Sequence, residues 1–186
     1  HSILFIGPPG SGKTMVSERI ATILPQPTYE ECIEITKIHS IAGQLGDKDI
    51  MMKRPFRKPH HTITATSMIG GGINIKPGEI SLAHKGVLFL DELAEFKKDT
   101  LESLRQPLEE KKVVISRLTG KYVFPADVML VAATNPCKCG YYPDRNKCIC
   151  QQYEVKKYMG RISGPFMNRI DITVGATLMN ADEFQK

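Results

Sequence analysis

The sequence predicts an α/β fold, a parallel sheet covered by helices, and three observations carry the prediction. Short apolar runs at residues 3–6, 87–90 and 128–134 alternate with longer stretches of helical spacing, as strands buried between helices do. A glycine-rich loop, Gly7 to Thr14, follows the first run directly. Two acids, Asp91 and Glu92, follow the second, at the strand end where α/β sheets bind ligands.

A chain of 186 residues suits one domain, since about 150 residues is typical. With 24% charged and 41% hydrophobic residues it can bury a core, which excludes a disordered tail. Its longest apolar runs, Val87 to Leu90 and Val128 to Ala133, fall short of the roughly 18 residues of a membrane span. Ile3 to Ile6 runs into a glycine turn instead of a cleavage site, so no signal peptide is expected. Four of the five cysteines lie between residues 137 and 150, a crowding that indicates metal ligation over a disulfide framework. A reducing, cytoplasmic setting is the expectation. The balance of 25 Lys plus Arg against 20 Asp plus Glu, a net +5, permits nucleic-acid binding without demanding it.

Taken in order, residues 2–6 read as a buried strand and 12–24 as the helix after it, stopped by Pro25 and Pro27. Residues 29–41 carry Cys32, Ile33, Ile35, Ile38 and Ile41 near helical spacing, with Gly43 as the end signal. Residues 43–86 show no long period and read as an insertion of short hairpins and turns. Residues 87–90 and 128–134 are central strands, with an amphipathic helix over 100–109 between them. Val113-Val114-Ile115 and Tyr122-Val123-Phe124 flank a turn and form a β-hairpin, and residues 170–174 make a last short strand.

Gly7-Pro8-Pro9-Gly10-Ser11-Gly12-Lys13-Thr14 is a phosphate-binding loop in the required place, between strand and helix. Its glycines let backbone N–H groups converge on phosphate oxygens, Lys13 reaches the terminal phosphates, and the Thr14 hydroxyl can coordinate Mg²⁺. Asp91 would hold Mg²⁺, and Glu92 would polarise the attacking water as general base. Asn135, after the third apolar run, would stand in the same crevice and orient that water. Cys137, Cys139, Cys148 and Cys150 supply four thiolates, the number for a closed tetrahedral Zn²⁺ site. One residue between partners is fewer than usual, so reduced cysteines in a surface loop are the competing reading. His60, His61 and His84 read as structural, because no third ligand is spaced to join them.

A phosphate loop, an Asp-Glu strand end and a strand-terminal Asn, in that order, resemble the AAA+ ATPases. Residues 54–61, Gly70-Gly71-Gly72, residues 77–84, Asn135-Pro136-Cys137 and Ser163-Gly164-Pro165 make the resemblance narrower. They look like the magnesium-chelatase-like ATPases of bacteria, the ComM/YifB group, over nearly the whole chain.

The resemblance implies an AAA+ core spanning residues 1–186, with a five-stranded parallel sheet, ATP and Mg²⁺ as cofactors, and a homo-oligomeric ring, expected to be a hexamer. Residues 167–171 correspond to the family's Leu-Asp-Arg-Ile-Asp and put Arg169 where an arginine finger faces a neighbour's γ-phosphate, with Arg161 as reserve. Asn168 departs from the family's Asp, and a salt bridge from Arg169 to Asp171 or Glu183 is the alternative. The segments at about 62–76 and 111–125 resemble the pore hairpins of replicative helicases. Lys111, Lys112, Arg117 and Lys121 on the second would track a DNA backbone, against a plain solvated face. The implied function is a DNA motor for branch migration in natural transformation. The alternatives are an ATPase driving Mg²⁺ into a porphyrin and a nucleotide-gated scaffold. The chain is expected to lack the family's amino-terminal Lon-protease-like domain and carboxy-terminal helical lid, and so to hydrolyse ATP poorly by itself.

Overall fold

The computed structural model describes residues 1–46, 49–118 and 120–177. Strand β1 (Ile3–Ile6) enters the phosphate loop, and α1 (Lys13–Ile23) leaves it. Leu24 turns extended ahead of Pro25, which ends α1. Helix α2 (Tyr29–Ala42) starts on a capping box: Thr28 Oγ1 accepts from the Glu31 N–H, and Glu31 Oε2 accepts from the Thr28 N–H. It ends at Gly43, whose φ of 71° is free of strain only for glycine. Cys32, Ile35 and Ile38 are buried as the spacing predicts, while Ile41 stays exposed.

Residues 43–86 hold more than turns. They contain β2 (Phe56–Arg57), α3 (Ala65–Ile69), β3 (Gly70–Gly71), β4 (Lys76–Pro77) and α4 (Glu79–Leu82). The expected hairpin at 62–76 is therefore a short helix running into a two-rung ladder, β3 on β4. Then follow β5 (Val87–Leu90), a 3₁₀ turn at Leu93–Glu95, α5 (Lys98–Ser103) and α6 (Arg105–Glu110). The single helix expected over 100–109 is broken at Leu104. Pro107 explains the break, because its ring excludes the carbonyl four residues earlier, that of Ser103, the last residue of α5. The hairpin of β6 (Lys112–Arg117) and β7 (Gly120–Pro125) pairs Val113 with Phe124 and Arg117 with Gly120. The chain then adds β8 (Met129–Thr134), α7 (Gln152–Met159), α8 (Gly164–Met167) and β9 (Ile172–Gly175).

The main sheet has five strands in the order β2-β5-β8-β1-β9, every neighbouring pair parallel. The fifth strand, β2, lies in the segment read as an insertion. The period of two sends Leu4, Leu88, Leu90, Leu130 and Ala132 to one face, packed with Leu101, Leu104 and Phe166. Phe5, Val87, Phe89, Val131 and Ala133 go to the other, against Ile20 of α1. Among the described residues no helix is long and apolar enough to cross a membrane.

One node at the far end of the sheet locks the strand entries. His84, 3% exposed, accepts from the Asp127 N–H at Nδ1 (3.0 Å), which leaves its Nε2–H to donate to Glu34 Oε2 at 2.9 Å. His84 is thus structural, as its sequence context suggests. Lys85 and Lys111, both at positive φ, bring their ammonium groups to Asp127 at 2.9 and 3.1 Å. Burial pushes the Asp127 carboxyl up, but its hydrogen bonds and charge pairing with these lysines outweigh that and hold it below the usual carboxylate value. A depressed acid stabilises the fold above its unfolded pKa, about 3.9, and loses that contribution as pH falls through its folded pKa. Asp127→Asn is therefore expected to melt below the parent protein at pH 7, with the gap closing as pH falls below about 4; thermal melts across pH check this.

Candidate nucleotide-binding site

Register brings three loops to one sheet edge. Leu90 pairs with Ala132 and Ile6 with Thr134, so the residues after β5, β8 and β1 all emerge at the carboxyl ends of adjacent parallel strands. The loop Gly7 to Thr14 turns at Gly10 (φ 79°) and Gly12 (φ 76°), conformations that a side chain would strain. Its start is tied to β8 by the Gly7 N–H on the Thr134 carbonyl at 3.3 Å. Lys13 Nζ donates to the carbonyls of Gly7 (2.8 Å) and Pro8 (2.7 Å) inside the loop. Burial lowers the Lys13 pKa, and the charge of Asp91 partly offsets it.

Thr14 Oγ1 donates to Asp91 Oδ2 at 3.1 Å, which joins the first turn of α1 to the end of β5. Sequence reasoning missed the third member: Lys58, just after β2, sits 3.3 Å from Asp91 and 3.0 Å from Glu18, over the Phe89 ring. Burial pulls the Lys58 pKa down, but its hydrogen bonds to Glu18 and Asp91 leave it raised. The only signal for it was a cation at the end of a two-residue strand.

Glu92 adopts a left-handed backbone (φ 53°), rare outside glycine, with its N–H donating to Asp91 Oδ1. Its carboxylate reaches His61 Nδ1 at 3.2 Å. His61, read from sequence as structural, thus belongs to this crevice, and His60 stacks beside it at 4.1 Å between ring centroids. Asn135 directly follows β8 on the same edge, half-buried.

Arg169 lies at the opposite end of the sheet, ahead of β9. Its backbone carbonyl accepts from Ser2 Oγ, at the entry of β1. Its guanidinium pairs with Glu109 at 2.5 Å and not with Asp171, one of the two acids named above as the alternative to the finger; the other, Glu183, lies outside the described residues. Arg169 Nε is buried without a hydrogen-bond partner among the described residues. Arg161 pairs with Glu95 at 3.0 Å and lies over Tyr158.

The hairpin cations divide. At its base Lys111 pairs with Asp127, and Lys112 is 4.0 Å from Glu110. Near the tip Arg117 and Lys121 are exposed, on opposite faces, since Lys121 pairs in register with Ser116 and not with Arg117. Arg117 borders a cavity of about 1000 Å³ between the two hairpins, lined also by Thr66, Ile73 and Ile75. Ile73 and Leu118 stand fully exposed at the two tips.

The four cysteines converge despite their spacing. Cys137 Sγ is 3.4 Å from Cys139 and 3.9 Å from Cys148, and Cys139 is 3.6 Å from Cys148. All four sulfurs lie within 4.8 Å of one another. The Tyr141 N–H, opposed by burial and aided by hydrogen bonds within the cluster, draws Cys139 down to about 6, and burial pushes Cys148 up to about 11.

A family model described as magnesium chelatase, subunit ChlI, matches residues 1–184. Over 185 residues the chain is 43% identical to the competence protein ComM of Haemophilus influenzae, covering 100% of this chain and 36% of that protein. It is 46% identical over 175 residues to the protein YifB of Escherichia coli, covering 94% of this chain and 34% of that one. The chain thus spans about a third of the length of the curated relatives it matches. A crystal structure of NtrX from Brucella abortus in complex with ADP shares the fold, with a TM-score of 0.55 and 21% identity over 95% of this chain and 32% of that one. A parallel sheet built around a phosphate loop, matched over almost its full length by the family model and by ComM and YifB, makes this chain a member of the magnesium-chelatase family of AAA+ proteins, of the ComM/YifB type.

Proposed function

We propose that the chain is the MgATP-binding and hydrolysing core of a ring-forming motor, a hexamer in this reading, that acts on DNA during uptake and branch migration of transforming strands. The observation that carries the nucleotide half is the convergence of the loop 7–14, the Thr14–Asp91 pair, Glu92 and Asn135 on one sheet edge. The donor set fits a hard cation: a hydroxyl and a carboxylate, both oxygen ligands, 3.1 Å apart. When bound, Mg²⁺ would neutralise charge on the transferred phosphoryl group. The cofactors in this reading are ATP with Mg²⁺ and a structural Zn²⁺ on the four cysteines.

Each residue has a defined task. Lys13 would turn its ammonium protons from the Gly7 and Pro8 carbonyls to phosphate oxygens. Asn135 would orient a water, whose oxygen attacks the γ-phosphorus as the bond to the β-phosphate oxygen breaks, and Glu92 would take the released proton. His61, within 3.2 Å of Glu92, holds that carboxylate in place. Arg169 stands at the other end of the sheet from its own phosphate loop, which supports a task at a neighbour's site.

The exposed tips of the two hairpins support a nucleic-acid substrate, with Arg117 and Lys121 as the cations that meet phosphates. The relative named a competence protein supports placing that substrate in transformation.

Glu92→Gln is expected to keep nucleotide affinity while losing at least about 10²-fold in steady-state hydrolysis. Arg169→Ala is expected to lose about 10³-fold in hydrolysis. Mixing the two inactive variants should restore activity at the interfaces that pair an intact Glu92 with an intact Arg169; no recovery on mixing would sink the trans assignment. DNA should stimulate hydrolysis in a way that fades with added salt, and Arg117→Ala with Lys121→Ala should remove the stimulation while Lys112→Ala does little. Hydrolysis indifferent to every DNA would turn the reading toward porphyrin metallation or a scaffold.

A further inference from the structure

We infer that Zn²⁺ held by Cys137, Cys139, Cys148 and Cys150 clamps the phosphate loop in its nucleotide-binding shape, so that metal occupancy sets nucleotide affinity. The inference rests on the nucleotide and zinc assignments proposed above and adds the link between the two sites.

The sulfur geometry is that of a tetrahedral site. A Zn–S bond of about 2.3 Å implies a sulfur–sulfur edge of about 3.8 Å, and the edges at 3.4, 3.6 and 3.9 Å bracket that value. They are far beyond the roughly 2.05 Å of a disulfide. The loop is folded to bring the pairs together. The Gly140 N–H closes a turn on the Cys137 carbonyl at 3.0 Å, and the Cys148 N–H bonds to the Asp144 carbonyl at 2.7 Å. Cys137, Cys148 and Cys150 are buried, in a cluster of their own with Tyr141, Tyr142 and Val155. On ligation each thiol gives its proton to water, and four sulfurs leave no open position, so the metal's task is structural.

That task is visible at Gly140. A Cβ there would lie 2.6 Å from Pro9 Cδ and 3.8 Å from Asn135 Cγ, so the cysteine loop's backbone rests directly on the phosphate loop and beside Asn135. Tyr141, Tyr142 and Lys147, from the same loop, face Gly7 and Pro8 across a groove of about 740 Å³. A 14-residue stretch with no regular secondary structure would not hold that backbone in register against Pro9 by itself. Four metal–sulfur bonds do, because they tie both ends of the stretch to one point.

The test measures zinc content of the purified protein and its affinity for a fluorescent ATP analogue, with Mg²⁺ present throughout. One zinc per chain is expected. Removing it with 1,10-phenanthroline, which leaves Mg²⁺ in place, should weaken the analogue about tenfold to a hundredfold, the usual range for coupling between two sites, and zinc should restore it. Gly140→Ala should keep the zinc and still lose nucleotide affinity, whereas Lys138→Ala, on the exposed side of the same loop, should change neither. Substoichiometric zinc would overturn the inference at the metal. Full zinc with affinity unchanged by chelation and by Gly140→Ala would overturn the clamp alone. Full zinc with no analogue binding in any form would overturn the nucleotide reading and this inference with it.

Discussion

The carboxylate of Asp91 is the point on which the crevice depends. Its side chain is about a quarter exposed, at 27%, and hydrogen bonds and opposite charge surround its buried part. Three groups from two elements supply them: the Thr14 hydroxyl and the nearby charge of Lys13 from the first turn of α1, and the Lys58 ammonium from the end of β2. Each would be poorly satisfied alone. Lys58 in turn needs Glu18 and the Phe89 ring, so the short β2 and the first turns of α1 are held to the sheet by electrostatics as much as by apolar contact.

The two ends of the sheet do different work. At the carboxyl ends of the strands the backbone bends into unusual conformations, at Gly10, Gly12 and Glu92, and collects polar groups. At the amino ends Asp127, Lys85, Lys111 and His84 form a compensated node that fixes where β5, β6 and β8 begin. The hairpin β6–β7 grows out of that node, which is why Lys111 at its base is already engaged with Asp127, while Lys112 lies 4.0 Å from Glu110 just before the hairpin.

Contiguous signals were legible in the sequence and dispersed ones were not. The phosphate loop, Asp91-Glu92 and Asn135 each sit against an apolar run that reads as a strand, and the sheet register then does the assembling. Lys58 and His61 escaped because β2 is two residues long, too short for a period, and is defined only by its pairing with β5. Lys111 at the hairpin base looked free because its partner Asp127 lies beyond the hairpin. The cysteine spacing looked wrong because the turn at Gly140 and the fold of residues 141–148 are properties of the path, which residue counting does not see. The break at Leu104 was readable in principle, since Pro107 is plain in the sequence.

The position of β1 in the sheet bears on how the chain is made. Of the five strands of the main sheet, β1 comes first along the chain and is also an interior one, and its partners come late: Ile3 pairs with Val131 on one side and Ile172 on the other. Closing such distant pairs is slow, since the entropy of the intervening loop is lost before the contacts form. During synthesis β1 and the phosphate loop behind it must wait, apolar and unpaired, until β8 emerges, and one edge stays open until β9 follows. Early stages of folding of this sheet therefore belong to the local units, α2 and the β6–β7 hairpin, and the nucleotide site forms only after its distant strands have paired.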